Sequence, residues 1–187
     1  MFIQTESTPN PATLKFLPGR TVMAAGTADF PSEEAAQASP LARRIFAAGE
    51  VAGVFFGPDF VTVTKAEEAD WSHVKAGVLA AIMEHFMSGE PLVKAGEGEA
   101  DGADDEFFEE ADAETVATIK DLIETRVRPA VANDGGDITF KGFKDGIVFL
   151  HMKGACSGCP SSTATLRHGI QNLLRHFVPD VTEVRPM

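Results

Sequence analysis

The chain has 187 residues, 44% of them hydrophobic, with two cysteines and a formal net charge of −12. That length suits one ordinary domain or two small ones with enough apolar material for a core. Two cysteines exclude a disulfide-stapled secreted scaffold and fit a reducing compartment.

The N-terminal stretch lacks both the basic-then-apolar pattern of a secretory leader and the Arg/Ser bias of a transit peptide. No apolar run approaches the roughly 18 residues that a membrane span needs. A bacterial cytoplasm is therefore the first expectation for location, and the mitochondrial matrix after processing is the second.

Charge is unevenly spread. Residues 1–95 carry 7 basic and 11 acidic side chains, residues 96–114 carry 10 acidic and no basic ones, and residues 115–187 carry 9 basic and 7 acidic. Most of the excess thus belongs to the middle of the chain. The C-terminal part has no dense Lys/Arg stripe with interleaved aromatics, so no nucleic-acid partner is expected.

In chain order, Phe2 to Thr5 reads as a short strand, Thr8-Pro9-Asn10-Pro11 as a turn, and Leu14 to Leu17 as the returning strand. Ala24 to Ala38 is small and polar and carries no firm assignment. Ser39 as N-cap and Pro40 at the first helical position start a helix with Leu41, Ile45 and Phe46 on its apolar face and Gly49 at its end. Val51 to Phe56 and Phe60 to Thr64 are two strands joined across Gly57-Pro58-Asp59. Asp70 then caps a helix whose Trp71, Val74, Val78, Ile82 and Phe86 share one face, ending at Ser88-Gly89. Residues 1–95 form a compact α+β domain.

Residues 96–113 combine glycine, alanine and acid around Phe107-Phe108, a composition that repels itself and reads as a flexible acidic linker. The two phenylalanines leave open a second role as a docking element. From residue 114 to 187 the pattern is helix, strand, strand, helix, strand. Val116, Ile119, Leu122, Ile123 and Val127 form a helical stripe, with Arg128-Pro129 marking a kink or an end. Asn133 to Gly136 is a turn, and Ile138 to Phe143 pairs with Ile147 to Met152 through Asp145-Gly146. The last helix carries Leu166, Ile170, Leu173, Leu174 and Phe177 on one side, and Val181 to Val184 closes the chain.

Both cysteines lie between the second strand and that helix, in Gly154-Ala155-Cys156-Ser157-Gly158-Cys159-Pro160. Gly154 and Gly158 let the backbone bend toward a bulky ligand, and Pro160 suits the first helical position. A helix N-terminus favours thiolate, the form that binds metal or attacks a disulfide. Backbone N–H groups there, with Ser161, Ser162 and Thr163, are candidates to hydrogen-bond sulfur. A tetrahedral metal or an iron–sulfur cluster takes four ligands. His151 and His168 do not stand at zinc-finger spacing, so the simpler arrangement is two chains, each giving Cys156 and Cys159 to one centre. Three alternatives remain at this point: dithiol–disulfide redox chemistry, a zinc-stabilised interaction module, and two buried inert thiols. The chain after Cys159 is too short for a thioredoxin-like fold, and no Ser/His/Asp or paired-carboxylate pattern suggests a hydrolase.

The run Asp134-Gly135-Gly136-Asp137-Ile138, the cysteine segment Gly154 to Ser162, and Thr165-Leu166 closely resemble the C-terminal domain of the NifU/Nfu family. Thr8 to Pro11, Leu14 to Gly19, Ser39 to Ala42 and Gly53 to Gly57 resemble the Nfu N-terminal domain. The resemblance implies an iron–sulfur cluster scaffold or carrier rather than an enzyme. It implies a cluster, typically [4Fe–4S], held between the CxxC motifs of two chains and passed to recipient apo-proteins, with Cys156 and Cys159 as ligands. Upstream cluster-assembly proteins are implied as further partners.

Overall fold

The computed structural model describes residues 1–94, 106–157 and 160–187, with side chains in all of these except 160–162. The chain divides into two units, Met1–Ala100 and Asp101–Met187, each with its own hydrophobic core.

In the first unit, β1 (Gln4–Ser7) and β2 (Thr13–Leu17) pair antiparallel across the proline-rich turn. The short β3 (Ala28–Phe30) lies in the stretch that the sequence leaves unassigned. Helix α1 (Pro40–Ala47) begins where Ser39 accepts a hydrogen bond from the Ala42 amide at 3.1 Å, leaving its hydroxyl proton for the Leu92 carbonyl. Strands β4 (Val51–Phe56) and β5 (Val61–Lys65) form the expected hairpin, and the sheet order is β1-β2-β5-β4-β3. Helix α2 (Trp71–Ser88) is capped by Asp70 on the Ser72 amide at 2.8 Å and closes at Gly89, whose φ of 72° is the left-handed stop that glycine adopts without strain. Leu41, Ile45, Val74, Val78 and Ile82 pack on Phe16, Val54, Phe56 and Val63 of the sheet.

The second unit follows the expected order. Helix α3 (Ala113–Leu122) runs through a wide π turn (Ile123–Val127) into α4 (Arg128–Asn133). Pro129 offers no N–H and its ring crowds the carbonyl four residues earlier; the wider turn accommodates both without ending the helix. Strand β6 (Gly136–Lys144) turns back into β7 (Ile147–Gly154) through Asp145 and Gly146, with φ of 53° and 77°, the double left-handed geometry of a tight hairpin. Helix α5 (Pro160–Phe177) carries the chain over to β8 (Glu183–Pro186), which pairs parallel with β7, giving the order β6-β7-β8. Val116, Ile119, Ile123, Val131, Ile170 and Leu174 press onto Ile138, Leu150 and Met152 from the helical side.

The structure corrects the extent of the acidic linker, expected over 96–113. Residues 95–105 lie outside the described residues, but 106–113 are built into the second unit. Phe107 bridges to Gly142 of β6, Glu110–Asp112 makes a 3-10 turn, and Ala113 begins α3. Phe107 against Phe149 and a glutamate that finds Lys120 give this end enough contacts to order it. Among the described residues no helix is long and apolar enough to cross a membrane.

Candidate metal centre

The site starts with the end of β7. Gly154, with a φ of 68°, turns the chain off the sheet, and its carbonyl accepts from both the amide (3.1 Å) and the hydroxyl (2.9 Å) of Ser157. Ala155 donates its amide to the Gly135 carbonyl at 3.2 Å, tying this turn to the one before β6. Thr163 donates its hydroxyl to the Cys156 carbonyl at 3.0 Å, so the cysteine backbone is fastened to the first turns of α5. Sequence reasoning offered Thr163 to the sulfur; the structure gives it to the peptide oxygen instead. Gly158, Cys159, and the side chains of Ser161 and Ser162 lie outside the described residues.

Cys156 is a free cysteine, 6% exposed, and part of the unit's apolar core. Its sulfur rests on Gly136: a Cβ added there would stand 2.7 Å from Sγ and 2.7 Å from the Lys153 carbonyl. Only glycine leaves room for sulfur at this point in the β6–β7 ladder, where Gly136 faces Gly154. Burial pushes the Cys156 thiol up to about 12, and the carboxylates of Asp134 and Asp137 add to the shift. The thiolate expected at a helix N-terminus is therefore corrected for Cys156. Desolvation first, and then the two aspartates, disfavour the charged form of this sulfur.

Asp137 is held by Arg128 in a two-point grip, Nε to Oδ1 and Nη2 to Oδ2, both at 2.9 Å. Its Oδ1 also accepts from the Ile138 amide at 2.8 Å. Glu124 adds a contact of 2.8 Å to the same guanidinium, and these carboxylates raise the Arg128 pKa above its ordinary value. The charge beside the sulfur is thus fixed in place by α4. Residue-level reading of the sequence saw a turn at 133–136 and missed this grip. The signal available was an acidic, double-glycine turn opening the strand that pairs with the one leading to the cysteines.

His151 sits opposite Thr139 within the β6–β7 ladder, and His168 is exposed on α5. Neither joins Cys156: among the described residues no cluster of three or more His, Cys, Asp or Glu side chains could hold a metal ion.

Two family models match the chain, "Scaffold protein Nfu/NifU N terminal" over residues 3–89 and "NifU-like domain" over residues 119–185. The chain is 53% identical to NifU-like protein 4, mitochondrial, of Arabidopsis thaliana over 98% of its own length and 65% of that protein. It is 51% identical to the NFU1 iron-sulfur cluster scaffold homolog, mitochondrial, of Homo sapiens over 98% of its length and 71% of that one. It therefore spans about two thirds of these relatives. A solution NMR structure of a NifU-like protein from Saccharomyces cerevisiae aligns with 51% of this chain and 86% of its own, at 25% identity and a TM-score of 0.42.

Proposed function

The chain belongs to the NifU/Nfu family, and from that premise we propose that it is a non-catalytic scaffold and carrier of iron–sulfur clusters. The cargo is a [4Fe–4S] cluster, held by Cys156 and Cys159 of two copies and handed on to recipient apo-proteins. Upstream assembly proteins supply it. Residues 114–187 form the cluster-binding domain, and residues 1–95 recognise partners.

The observation that carries this reading is the place of Cys156, on the turn between β7 and α5 with its sulfur against Gly136. Cys159 immediately precedes the first residue of α5 in the sequence. Two sulfurs per chain supply half a shell of soft ligands, and a second copy supplies the other half. Cys156 is a buried thiol held in its protonated form. Loading therefore releases its proton and uncovers its sulfur, which makes uptake steeper with rising pH. The same protonated sulfur makes Cys156 a poor nucleophile and counts against the redox alternative. The relatives named above are mitochondrial by name; this supports the mitochondrial matrix over the bacterial cytoplasm, the first expectation, which gains no support.

Anaerobic loading with iron and sulfide, followed by Mössbauer spectroscopy and sizing, tests the proposal. About four irons per two chains are expected for a cluster on four cysteines, and Cys156→Ser or Cys159→Ser should abolish them. Protein that stays iron-free, or iron that remains on a monomer after either substitution, overturns it. Deleting residues 1–95 should spare loading and slow delivery to at least one recipient; equal delivery to all recipients refutes the role given to the first domain.

A further inference from the structure

Strand β6 is the outer strand of its sheet, and an outer strand offers a row of backbone donors and acceptors to any extended chain that reaches it. One residue of the acidic stretch takes up part of that offer. The Phe107 amide donates to the Lys141 carbonyl at 3.0 Å, and the Phe143 amide donates to the Phe107 carbonyl at 2.9 Å. This is a parallel bridge centred on Gly142.

The Phe107 ring lies over Gly142, where an added Cβ would come within 2.4 Å of it, and its centroid is 5.1 Å from that of Phe149. One residue earlier, Glu106 places both carboxylate oxygens on Lys120 Nζ, at 3.0 and 2.8 Å. An aromatic slot and a cationic contact thus sit side by side along one strand edge.

The edge continues past Glu106 as a cleft of about 430 Å³, lined on its strand side by Ile138, Thr139, Phe140 and Lys141 and on its helix side by Lys120, Asp121 and the Glu124–Arg128 ion pair. In a parallel register, the residues of an added peptide that precede its aromatic would run beside this part of β6, along the cleft. Two groups there are left over: among the described residues, Thr139 Oγ1 is buried with no hydrogen-bond partner, and Lys141, which lines the cleft, makes no ion pair.

We propose that the β6 edge is a docking site for an extended acidic peptide bearing a phenylalanine, supplied by a partner protein, and that Glu106–Phe108 is a tethered stand-in that such a peptide displaces. Main-chain pairing provides the attachment, as in other strand-addition complexes. The glycine-floored slot selects the aromatic, and Lys120 and Lys141 select acid on the residues before it. The tethered segment competes at an effective concentration in the millimolar range, so only a well-matched or high-affinity partner segment gains entry. The inference is independent of the cysteines and needs no cluster.

The test uses a fluorescently labelled nonapeptide, Ala-Asp-Asp-Glu-Phe-Phe-Glu-Glu-Ala, titrated by anisotropy with the full chain. Phe107→Ala in the protein vacates the slot and should tighten peptide binding at least about tenfold over the unaltered chain. Replacing the first phenylalanine of the peptide by alanine should abolish binding. Glu106→Ala, which keeps both rings and removes only the Lys120 contact, should also tighten binding; if Phe107→Ala does not fold, this variant decides. No binding to either folded variant overturns the proposal and leaves the segment a fixed cap on the edge. So does binding indifferent to the peptide's phenylalanine. An unaltered chain that runs as a cluster-free dimer and becomes a monomer on Phe107→Ala also overturns it, because the occupant is then the same segment of a second copy.

Discussion

Replacing Gly136 by alanine separates a glycine chosen for packing from one chosen for backbone freedom. The new methyl carbon would stand 2.7 Å from Cys156 Sγ, 2.7 Å from the Lys153 carbonyl oxygen and 3.2 Å from Cys156 Cβ. The carbonyl belongs to the strand paired with β6 and cannot swing away alone, so the sulfur and the turn behind it must move. Overfilling a packed interior costs about 1–3 kcal/mol, and a backbone contact places this case near 2–3 kcal/mol. For a unit of this size that lowers the midpoint of the C-terminal transition by about 8–24 °C. Calorimetry of the full chain reads it, with the transition of the first unit as internal reference. Iodoacetamide labelling of Cys156 in a Cys159→Ser background supplies a second reading. Loosening the turn by 2 kcal/mol should speed labelling about thirtyfold. A midpoint within about 2 °C of the parent together with unchanged labelling would refute the claim that Gly136 is the bed on which the sulfur lies.

Three further outcomes follow from contacts elsewhere. Arg128→Met leaves the Asp137 carboxylate, 4% exposed, without its two-point partner; a loss of about 3 kcal/mol is expected in urea unfolding, and Arg128→Lys should recover only part of it. Ser39→Ala removes the cap on Ala42 and the bond to the Leu92 carbonyl, which should lower the first transition by about 1–2 kcal/mol. His85 is 1% exposed, and among the described residues neither ring nitrogen has a hydrogen-bond partner. Burial first, then the Arg44 guanidinium, holds its pKa below the ordinary 6.5. A lowered value means that the unfolded chain takes up the proton first. The contribution to stability is complete above pH 6.5 and is lost as pH falls through the native value. Acidification from pH 7 to 5 should therefore lower the first unit's midpoint more in the parent than in His85→Leu.

Local chemistry made much of the fold legible. Ser39-Pro40, Asp70 and Gly89 each say where a helix begins or stops without reference to anything distant, and all three stand where the sequence puts them. Asp145-Gly146 specifies its hairpin for the same reason, since both residues tolerate the left-handed region. What escaped depends on long-range contact. β3 has three residues, paired to β4 and anchored where Phe30 meets Phe56 in the core. Pro129 predicted a kink or an end, but packing of Val127 and Val131 on the sheet holds the helix through a widened turn instead. Glu106 to Phe108 looked like spacer because composition cannot register that Gly142, far along the chain, leaves a place for a ring. The two cysteines and their CxxC spacing could be read directly from the sequence. The state of the Cys156 sulfur could not, because it is set by Gly136 and by two aspartates brought against it by strand pairing.

Keeping that sulfur sheltered and protonated has a consequence for how it meets oxidants. Peroxides attack the thiolate, and the first oxidised form leads on to products that no ordinary reductant reverses. A thiol buried against the β6–β7 ladder, with carboxylates nearby, gives an oxidant little to attack.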